Sequence, residues 1–441
     1  MHFVTDKQTF DDLEIFGAPG TRSVFDKYNK CLTRGGASIL KDMLQYPLSD
    51  AALINERSAT IAFFAEKGSA FPFTVRYFSQ IEAYLANTDE RSRLVGKPRT
   101  LKGKIQQWLA PDIETTTILK GIEATVSLLS EVNVFLDTIH IEKDHPYATE
   151  YRRLQDLVKA PSLKAVLDVP PGSLDRHYVP LDTILRFAQR DIVTAVLRTL
   201  YRLDVFFAMA LLARENGFSY PAAMPLGDDG IDLKDAYHPL VTGAVANTIV
   251  LSRSNNMVLL TGANMAGKST LMKTIGIALL LGHAGLPVPA KRMRFSVLDG
   301  LYSTINLPDN LRSGASHFFA EVLRVKKIAA ELAAGKKLFV IFDEMFRGTN
   351  VKDAYDATLA IVNGFAAQPA GFFLISTHIV EVAPELVRQC SNVYCIYLPT
   401  VMDGAKPIYT YRFQPGVSDD RHGMVIIRNE GILEMLETGL H

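Results

Sequence analysis

The sequence predicts an α-helical domain over residues 1–224 and an α/β domain with a mostly parallel sheet over residues 225–441. Nearly all of the first part carries apolar side chains at the three- and four-residue spacings of helices. After about residue 221, short apolar segments alternate with helical segments, as in sheets whose parallel strands are joined by helices. One apolar segment, residues 257–260, leads directly into a glycine-rich loop.

Helices are predicted throughout the first domain, and Asp50 is expected to cap one that runs through residue 66. The apolar stripe of a later, long helix consists of Ile118, Ile122, Thr125, Leu129, Val132, Leu136 and Ile139. A second long stripe repeats near 3.6 residues and consists of Leu181, Leu185, Ala188, Ile192, Val196, Leu200, Leu203, Phe207 and Ala210. Prolines at 161, 170 and 171 separate the stripes and predict that the chain turns back there. Core packing alone explains both stripes, and a lever that transmits motion is the alternative interpretation.

A basic segment precedes the first of these long helices, at residues 91–104. Its cations are Arg91, Arg93, Lys97, Arg99, Lys102 and Lys104. Gly96, Pro98 and Gly103 predict a loop. Two interpretations stay open, a contact with the phosphate backbone of a nucleic acid or a solvated connector.

Composition limits the possible classes of protein. The 441 residues contain 47 Lys and Arg against 47 Asp and Glu, so no global basic excess indicates nucleic-acid binding. Cys31, Cys390 and Cys395 lack zinc-site spacing and are expected to be reduced. The first residues have no apolar signal core, and the apolar runs are too short to span a bilayer. We therefore expect a cytoplasmic protein without a membrane segment.

Residues 262–269 match the phosphate-loop pattern G-x-x-x-x-G-K-[ST], between a predicted strand and a helix predicted to run to residue 281. Gly262 and Gly267 allow backbone N–H groups to turn toward phosphate oxygens, and the helix N-terminus adds a favourable dipole. Lys268 would reach the β- and γ-phosphates, and the Ser269 hydroxyl would bind Mg²⁺. A glycine-rich turn before a core helix is the alternative interpretation. The predicted nucleotide-binding residues are Gly262, Ala263, Asn264, Met265, Ala266, Gly267, Lys268, Ser269 and Thr270.

Further polar residues follow predicted strands at residues 338–342 and 372–375. Open α/β sheets bind ligands at the carboxyl ends of their strands. Asp343 is therefore predicted to hold Mg²⁺ as a Walker B carboxylate, and Glu344 to act as general base toward the attacking water. His378 follows the second strand and is interpreted as a γ-phosphate sensor, although a lone histidine there is also a common structural residue. A helix is predicted over residues 318–334, and another strand over residues 393–398.

Together these segments resemble the ATPase domain of the MutS mismatch-repair family. The similarity extends into the helical half, at residues 11–16, 33–37, 47–48, 54–57, 203–205 and 217–221. The motifs that carry it are the phosphate loop, residues 237–240 (YHPL), 285–290 (GLPVPA), 314–321 (GASHFFAE), 343–349 (DEMFRGT) and 377–378 (TH).

The resemblance implies a helical lever domain followed by a P-loop NTPase domain of the ABC type. Ser316 alone would be interpreted as a helix N-cap, but by the resemblance it reaches the γ-phosphate held by a second copy, which implies a homodimer. The family's mismatch-reading and clamp domains are expected to be absent. Ala244 and Val245 replace an aromatic residue that stacks on adenine in the family.

Two functions are compatible with these features. The first is a dimeric Mg-dependent ATPase that binds a DNA structure in repair or recombination, with Lys268, Glu344, Ser316 and His378 as its catalytic residues. The alternative is a nucleotide-gated protein-interaction module that does not bind DNA, which the even charge balance favours. A P-loop kinase is disfavoured because Ser316 and His378 occupy positions typical of ABC-type sites.

Overall fold

In the computed structural model, the described residues are 3–17, 20–94, 113–170, 172–224, 230–305, 317–346, 348–403, 406–418, 433 and 435–436. The chain forms two compact units. The α/β unit comprises residues 1–28, 43–58 and 212–441, and the helical unit comprises residues 29–42 and 59–211.

The α/β unit includes N-terminal segments that the predicted division at residue 224 assigns to the first domain. Tyr28 Oη donates a hydrogen bond to the carbonyl oxygen of Pro287 over 2.9 Å. Arg57 likewise donates to the carbonyl oxygen of Ala284 over 2.6 Å. These contacts explain why residues 1–28 and 43–58 cluster with the α/β part, and the division of function at residue 224 stays a prediction.

Helices make up most of the first half of the chain. The α-helices are Lys7–Asp12 (α1), Val24–Tyr28 (α2), Arg34–Gln45 (α3), Ala51–Lys67 (α4), Val75–Ala86 (α5), Ile113–Thr138 (α6), Ala148–Val158 (α7), Lys164–Leu167 (α8), Tyr178–Asp182 (α9), Arg190–Asn216 (α10), Lys268–His283 (α11), His317–Ala333 (α12), Val351–Ala366 (α13) and Val382–Gln389 (α14). The predicted cap of α4 is confirmed, since Asp50 accepts a hydrogen bond from the Leu53 N–H over 3.0 Å.

Strands occur only after residue 221 within the part of the chain that the structure describes, apart from one isolated bridge at Val4. They are Ala222–Met224 (β1), Gly230–Ala236 (β2), Asn247–Ser252 (β3), Met257–Gly262 (β4), Arg292–Ser296 (β5), Gly300–Thr304 (β6), Leu338–Asp343 (β7), Phe372–Ser376 (β8), Val393–Leu398 (β9), Thr400–Asp403 (β10), Lys406–Tyr409 (β11) and Gln414–Pro415 (β12).

The main sheet has six strands in the order β12-β9-β4-β8-β7-β6. Strands β9, β4, β8, β7 and β6 are parallel to their neighbours, and only the short edge strand β12 is antiparallel. Val340 and Phe342 of β7 pack into a core with residues of α12, α13 and α14. Ile341 points to the other side, because its Cδ1 would lie 3.1 Å from a Cβ at Gly276 of α11. The predicted α/β architecture with a mostly parallel sheet and helices on both faces is therefore confirmed.

Two smaller sheets complete the α/β unit. Strands β1, β5, β2 and β3 form a four-stranded sheet in that order, in which only the β1–β5 pair is parallel. Strands β10 and β11 form an antiparallel hairpin. The β2–β3 connection and the residues after β11 both reach the candidate site described below.

The first long helix of the helical unit buries the predicted stripe. Every member from Ile118 to Leu136 is buried in α6, and Ile139 lies beyond its end. At Gly121, α6 approaches α5 so closely that a Cβ would lie 2.2 Å from Cβ of Tyr84. A side chain at Gly121 would therefore force the two helices apart.

The second predicted stripe is not one continuous α-helix. A π-helical segment, Thr183–Ala188, separates α9 from α10. Its extra backbone residue shifts the phase of the stripe, so that Leu181 and Leu185 are buried while Ala188 is exposed. Arg186 of this segment forms a fully buried ion pair of 2.6 Å with Asp182, the residue directly before the segment. Arg186 also donates a hydrogen bond to the carbonyl oxygen of Ser92 over 3.0 Å.

Two general expectations can be compared with the structure. No helix among the described residues is long and apolar enough to cross a membrane. All three cysteines are unpaired. The basic segment 91–104 lies largely outside the described residues, and its two interpretations stay open.

Candidate nucleotide-binding site

The strand order of the main sheet brings the predicted site residues together. Strand β8 lies between β4 and β7, with Ser376 paired to Leu260 on one side and to Asp343 on the other. The carboxyl ends of these three neighbouring strands therefore carry the glycine-rich loop, the residues Asp343 and Glu344, and the segment that contains His378.

The loop after β4 has the backbone conformations that its glycines predict. Gly262 has a φ of 138° and Gly267 a φ of 99°, both in the region that side-chain-bearing residues avoid. A Cβ at Gly262 would also lie 3.0 Å from the carbonyl oxygen of Leu398. Met265 adopts a φ of 70° without being glycine and is 80% exposed at the top of the loop. The loop then enters α11 at Lys268.

Lys268 links the loop to the candidate base. Its Nζ donates to the carbonyl oxygens of Gly262 over 2.8 Å and Ala263 over 3.2 Å. The same Nζ lies 3.5 Å from Oε1 of Glu344. Because both side chains are about nine-tenths buried or more, this cation and this carboxylate interact with little screening by solvent.

Asp343 is held by two hydroxyl groups. Ser269 Oγ donates to its Oδ2 over 2.5 Å, and Ser376 Oγ donates to its Oδ1. The carboxylate and the Ser269 hydroxyl are hard oxygen ligands of the kind that Mg²⁺ selects. No cluster of three or more His, Cys, Asp or Glu forms among the residues described. One carboxylate and one hydroxyl nevertheless fit Mg²⁺, which usually keeps several waters and binds substrate phosphates.

Glu344 has an unusual backbone conformation for a non-glycine residue. Its φ is 57°, and its N–H donates to the carbonyl oxygen of Ser376 over 3.1 Å. This arrangement turns the side chain toward Lys268, where it is 6% exposed. His378 approaches from the other side, with Nδ1 2.9 Å from Oε1 of Glu344. A strained, buried carboxylate between a lysine ammonium group and an imidazole ring is a feature of functional sites.

A cavity of about 780 Å³ opens above the loop. The predicted residues that line it are Ala263, Asn264, Met265, Gly267, Lys268, Ser269, Thr270 and Glu344. Gly262 contributes its carbonyl oxygen to Lys268, and Ala266 is buried beneath the loop. Asp343 and His378 are not lining residues. Asp343 accepts a hydrogen bond from the lining residue Ser269, and His378 contacts the lining residue Glu344.

The β2–β3 connection forms a second wall of the cavity. Ala244 and Val245 line part of it with aliphatic side chains. His238 also lines it, and burial lowers the pKa of this imidazole, whose Nδ1 accepts a hydrogen bond from the Leu240 N–H over 3.3 Å. His238 is therefore neutral at neutral pH and contributes shape rather than charge.

Tyr411 supplies an aromatic ring that the motifs did not predict. Its Cδ1 would lie 3.0 Å from a Cβ at Gly267, which places the ring directly against the loop. Its φ is 55°, and Asn247 holds the segment by donating to the Tyr411 carbonyl oxygen over 2.9 Å and accepting from the Phe413 N–H over 3.1 Å. Tyr411, Asn247 and Ser376 belong to no motif, and no pattern in the sequence indicated them: Asn247 begins β3, Ser376 ends β8 and Tyr411 follows β11.

Ser316 lies outside the described residues. The structure describes the chain up to Ile305, directly after β6, and again from the first residue of α12. The assignment of Ser316 to a second copy's nucleotide, like the roles of the other site residues, stays a prediction.

Comparisons with known proteins point to one family. A family model described as MutS domain V matches residues 258–436. The chain is 30% identical to the DNA mismatch repair protein MutS of Persephonella marina over 240 residues, which are 53% of this chain and 27% of that protein. It is 25% identical to the DNA mismatch repair protein MutS of Leuconostoc citreum over 436 residues, or 94% of this chain and 47% of that protein. The chain thus spans less than half the length of either relative.

Proposed function

This chain belongs to the MutS family, and on that premise we propose that it binds and hydrolyses ATP with Mg²⁺. The observation that carries the proposal is the convergence of Lys268 and Ser269, which follow β4, with Asp343 and Glu344 at the end of β7, beside one cavity. These four side chains supply the groups that phosphoryl transfer needs, namely a cation for the phosphates, metal ligands and a base.

Each residue has a defined part in this chemistry. Lys268 neutralises the β- and γ-phosphates, while Ser269 and Asp343 hold the Mg²⁺, which offsets charge on the transferred group. Glu344 takes the proton of the attacking water, and His378 senses the γ-phosphate. Catalysis is then mostly positioning and charge neutralisation.

In this proposal the ring of Tyr411 stacks on the base of the nucleotide. The aliphatic wall at Ala244 and Val245 cannot stack on a base, whereas the Tyr411 ring lies against the phosphate loop at the same cavity. An aromatic ring stacks on any base, so this contact supports affinity more than selection of adenine.

Two copies would complete each other's sites through Ser316. The first turns of α12, which directly follow Ser316, expose Phe319, Val322 and Leu323 on one helix face. This apolar face suits contact with a second copy. The test mixes two inactive variants, Lys268→Ala and Ser316→Ala. A mixed dimer has one intact nucleotide loop paired with one intact serine, so mixing restores hydrolysis if the serine acts in trans. Mixtures as inactive as the separate variants would contradict it.

The ATPase is proposed to act on a DNA structure in repair or recombination in the cytoplasm, with α6 and α10 as levers. Charge balance alone favours the other candidate, a nucleotide-gated module for protein partners. Gel-shift experiments with mismatched, branched and homoduplex DNA, each with a salt titration, separate the two. Binding that requires nucleotide and weakens steeply with salt supports the DNA-binding ATPase. Absence of binding to all three substrates supports the protein-interaction module.

A further inference from the structure

A second cavity, of about 650 Å³, lies beside the candidate nucleotide site. Asn247 lines both cavities, and its side chain bridges the Tyr411 carbonyl oxygen and the Phe413 N–H. Tyr411 lines the first cavity, whereas Phe413 lines the second. One amide side chain therefore forms part of the wall between the two cavities. The proposed ATPase chemistry uses only the first of them.

The second cavity combines aromatic rings with hydrogen-bonding groups. Tyr237 and Phe413 line it, and both are half-buried. The position of the Tyr237 ring is fixed, since its Oη donates to the Asn216 carbonyl oxygen over 3.3 Å. Asn247 and Thr248 add an amide and a hydroxyl group to the lining. This combination suits an unpaired nucleobase, which stacks on aromatic rings and forms hydrogen bonds at its edges.

The same cavity also carries a net positive charge. Lys291 and Arg412 line it, and both are exposed. Asp235 is the carboxylate among the described lining residues, and its Oδ2 lies 2.9 Å from Lys291 Nζ. Arg412 forms no ion pair with any residue that the structure describes. Its guanidinium group is therefore available to an anionic ligand.

The outer face of the β1-β5-β2-β3 sheet carries further cations. Lys234 of β2 and both Arg292 and Arg294 of β5 are exposed. The strand register places Lys234 directly opposite Arg292. Asp232 of β2 pairs with Arg292 over 2.6 Å. Arg294 forms no ion pair within the described part of the chain, so this face also carries an excess of positive charge.

The cavity and the sheet face are continuous with each other. Lys291 lines the cavity and directly precedes Arg292 in the chain, so one strand end joins the two. The cations of this joint surface, called the cationic face here, are Lys234, Lys291, Arg292, Arg294 and Arg412. The whole chain has 47 Lys and Arg against 47 Asp and Glu, so the excess on this face is local. A cationic surface that leads into an aromatic-lined cavity fits a polyanion with planar bases.

We propose that the cationic face holds the phosphate backbone of a single DNA strand, while one unpaired nucleotide of that strand enters the second cavity and stacks on Phe413. The cations attract phosphates whatever the sequence, and the ring stacks on any base. A base inside a duplex does not enter, because it would first have to leave its pair and its stack. This inference rests on the DNA-binding part of the proposed function and names the kind of DNA, one with unpaired nucleotides.

Fluorescence anisotropy with the full chain tests the inference. The probe is a labelled oligothymidylate of about 20 nucleotides, and a saturating non-hydrolysable ATP analogue keeps DNA phosphates out of the phosphate loop. We expect the oligothymidylate to bind about tenfold or more tightly than a blunt duplex of the same length, because the duplex must first release a base. Equal affinities for the two probes would overturn the inference.

Phe413→Leu tests the cavity. Leucine keeps an apolar side chain but has no ring, so the Kd for oligothymidylate should rise about tenfold while its dependence on salt stays the same. Phe413→Tyr keeps the ring and should bind like wild type. Melting temperatures of both variants verify that they are folded. Equal Kd values for the two variants would show that no base stacks at Phe413.

Arg294→Ala tests the cationic face. Loss of one phosphate contact should weaken binding and reduce the slope of log K against log salt concentration by about 0.7. Hydrolysis of ATP without DNA should not change, since Arg294 is not a lining residue of the nucleotide cavity. Arg22→Ala is the matched control, because Arg22 is an exposed arginine of the same unit outside the cationic face. Identical salt slopes for the two variants would overturn the role of this face.

Two further results separate this inference from its alternatives. Thymidine monophosphate that competes as well as unlabelled oligothymidylate would assign the cavity to a free mononucleotide and overturn the bound strand. If wild type binds neither oligothymidylate nor mismatched and branched DNA, the DNA-binding part of the proposed function fails together with this inference. DNA binding that is insensitive to both Phe413→Leu and Arg294→Ala would overturn this inference alone.

Discussion

Nδ1 of His378 lies 2.9 Å from Oε1 of Glu344, although the two residues follow different strands of the main sheet. Glu344 is buried at 6% exposure, whereas the His378 side chain is 47% exposed. A buried base in contact with a half-exposed imidazole has a route for its proton to solvent. The predicted general base and the predicted γ-phosphate sensor are therefore in direct contact, and both roles stay predictions.

Glu344→Gln should separate binding from hydrolysis. The amide keeps the size of the side chain but cannot take a proton, so we expect kcat to fall about 100-fold or more. ATP binding should be preserved, because Lys268 loses only a competing carboxylate at 3.5 Å. Equilibrium binding and steady-state hydrolysis measure the two effects. Glu381→Gln, at an exposed position three residues after His378 in the sequence, is the control, and a turnover of Glu344→Gln like that of the control would refute the base assignment.

Asp343→Asn should change the metal requirement more than the nucleotide affinity. The substitution removes the charged oxygen ligand beside Ser269, so the Mg²⁺ concentration for half-maximal hydrolysis should rise about tenfold or more. Ser376→Ala is the matched control, since it removes a hydroxyl from the other oxygen of the same carboxylate without removing a proposed metal ligand. Identical Mg²⁺ titrations for Asp343→Asn and wild type would contradict a metal site at this position.

The local parts of the site could be predicted because each is encoded in a short stretch. The loop between Gly262 and Ser269 needs backbone conformations that favour glycine, and five consecutive apolar residues before Asp343 predict a buried strand that ends there. The order of the strands in the sheet is not encoded in any short stretch of the sequence. That β8 lies between β4 and β7, and so brings Ser376 to Asp343, follows from long-range pairing.

Two features escaped sequence reasoning for physical reasons. Tyr411 reaches the cavity because Asn247, 164 positions earlier, holds its backbone, and no periodicity reports such a contact. The π-helical segment arises around Arg186, a charged residue that is fully buried with Asp182. Apolar periodicity treats arginine as a surface residue, so it predicted one unbroken helix there.

Tyr411→Ala should weaken nucleotide binding. Loss of a ring that stacks on a base is expected to raise the Kd for ATP about tenfold, and Tyr411→Phe should retain most of the affinity. Tyr409→Ala is the control, because its ring lies 6.2 Å from that of Tyr411 but outside the cavity lining. Fluorescence titration with ATP measures all three. Equal affinities of Tyr411→Ala and Tyr409→Ala would remove Tyr411 from the binding site.

His283 should make the stability of the α/β unit sensitive to mild acid. It is fully buried at the end of α11, with Nδ1 2.9 Å from the carbonyl oxygen of Leu48, while Nε2 accepts from the Leu298 N–H over 3.4 Å. Burial lowers its pKa from 6.5 to about 4, although the hydrogen bond to Leu48 opposes the shift. Both ring nitrogens are thus used in the neutral form.

The direction of the effect follows from proton uptake. Between pH 6.5 and about pH 4 the unfolded chain binds a proton at His283 that the folded chain does not, so stability falls as the pH falls through this window. The difference amounts to about 3 kcal/mol in the free energy of unfolding, fully present above the unfolded pKa. Denaturant unfolding at about pH 8, 6.5, 5 and 4 measures it. His283→Gln keeps a donor and an acceptor but does not titrate, so its curve should be flatter than that of wild type. Parallel curves for the two proteins would show that His283 is not the group responsible.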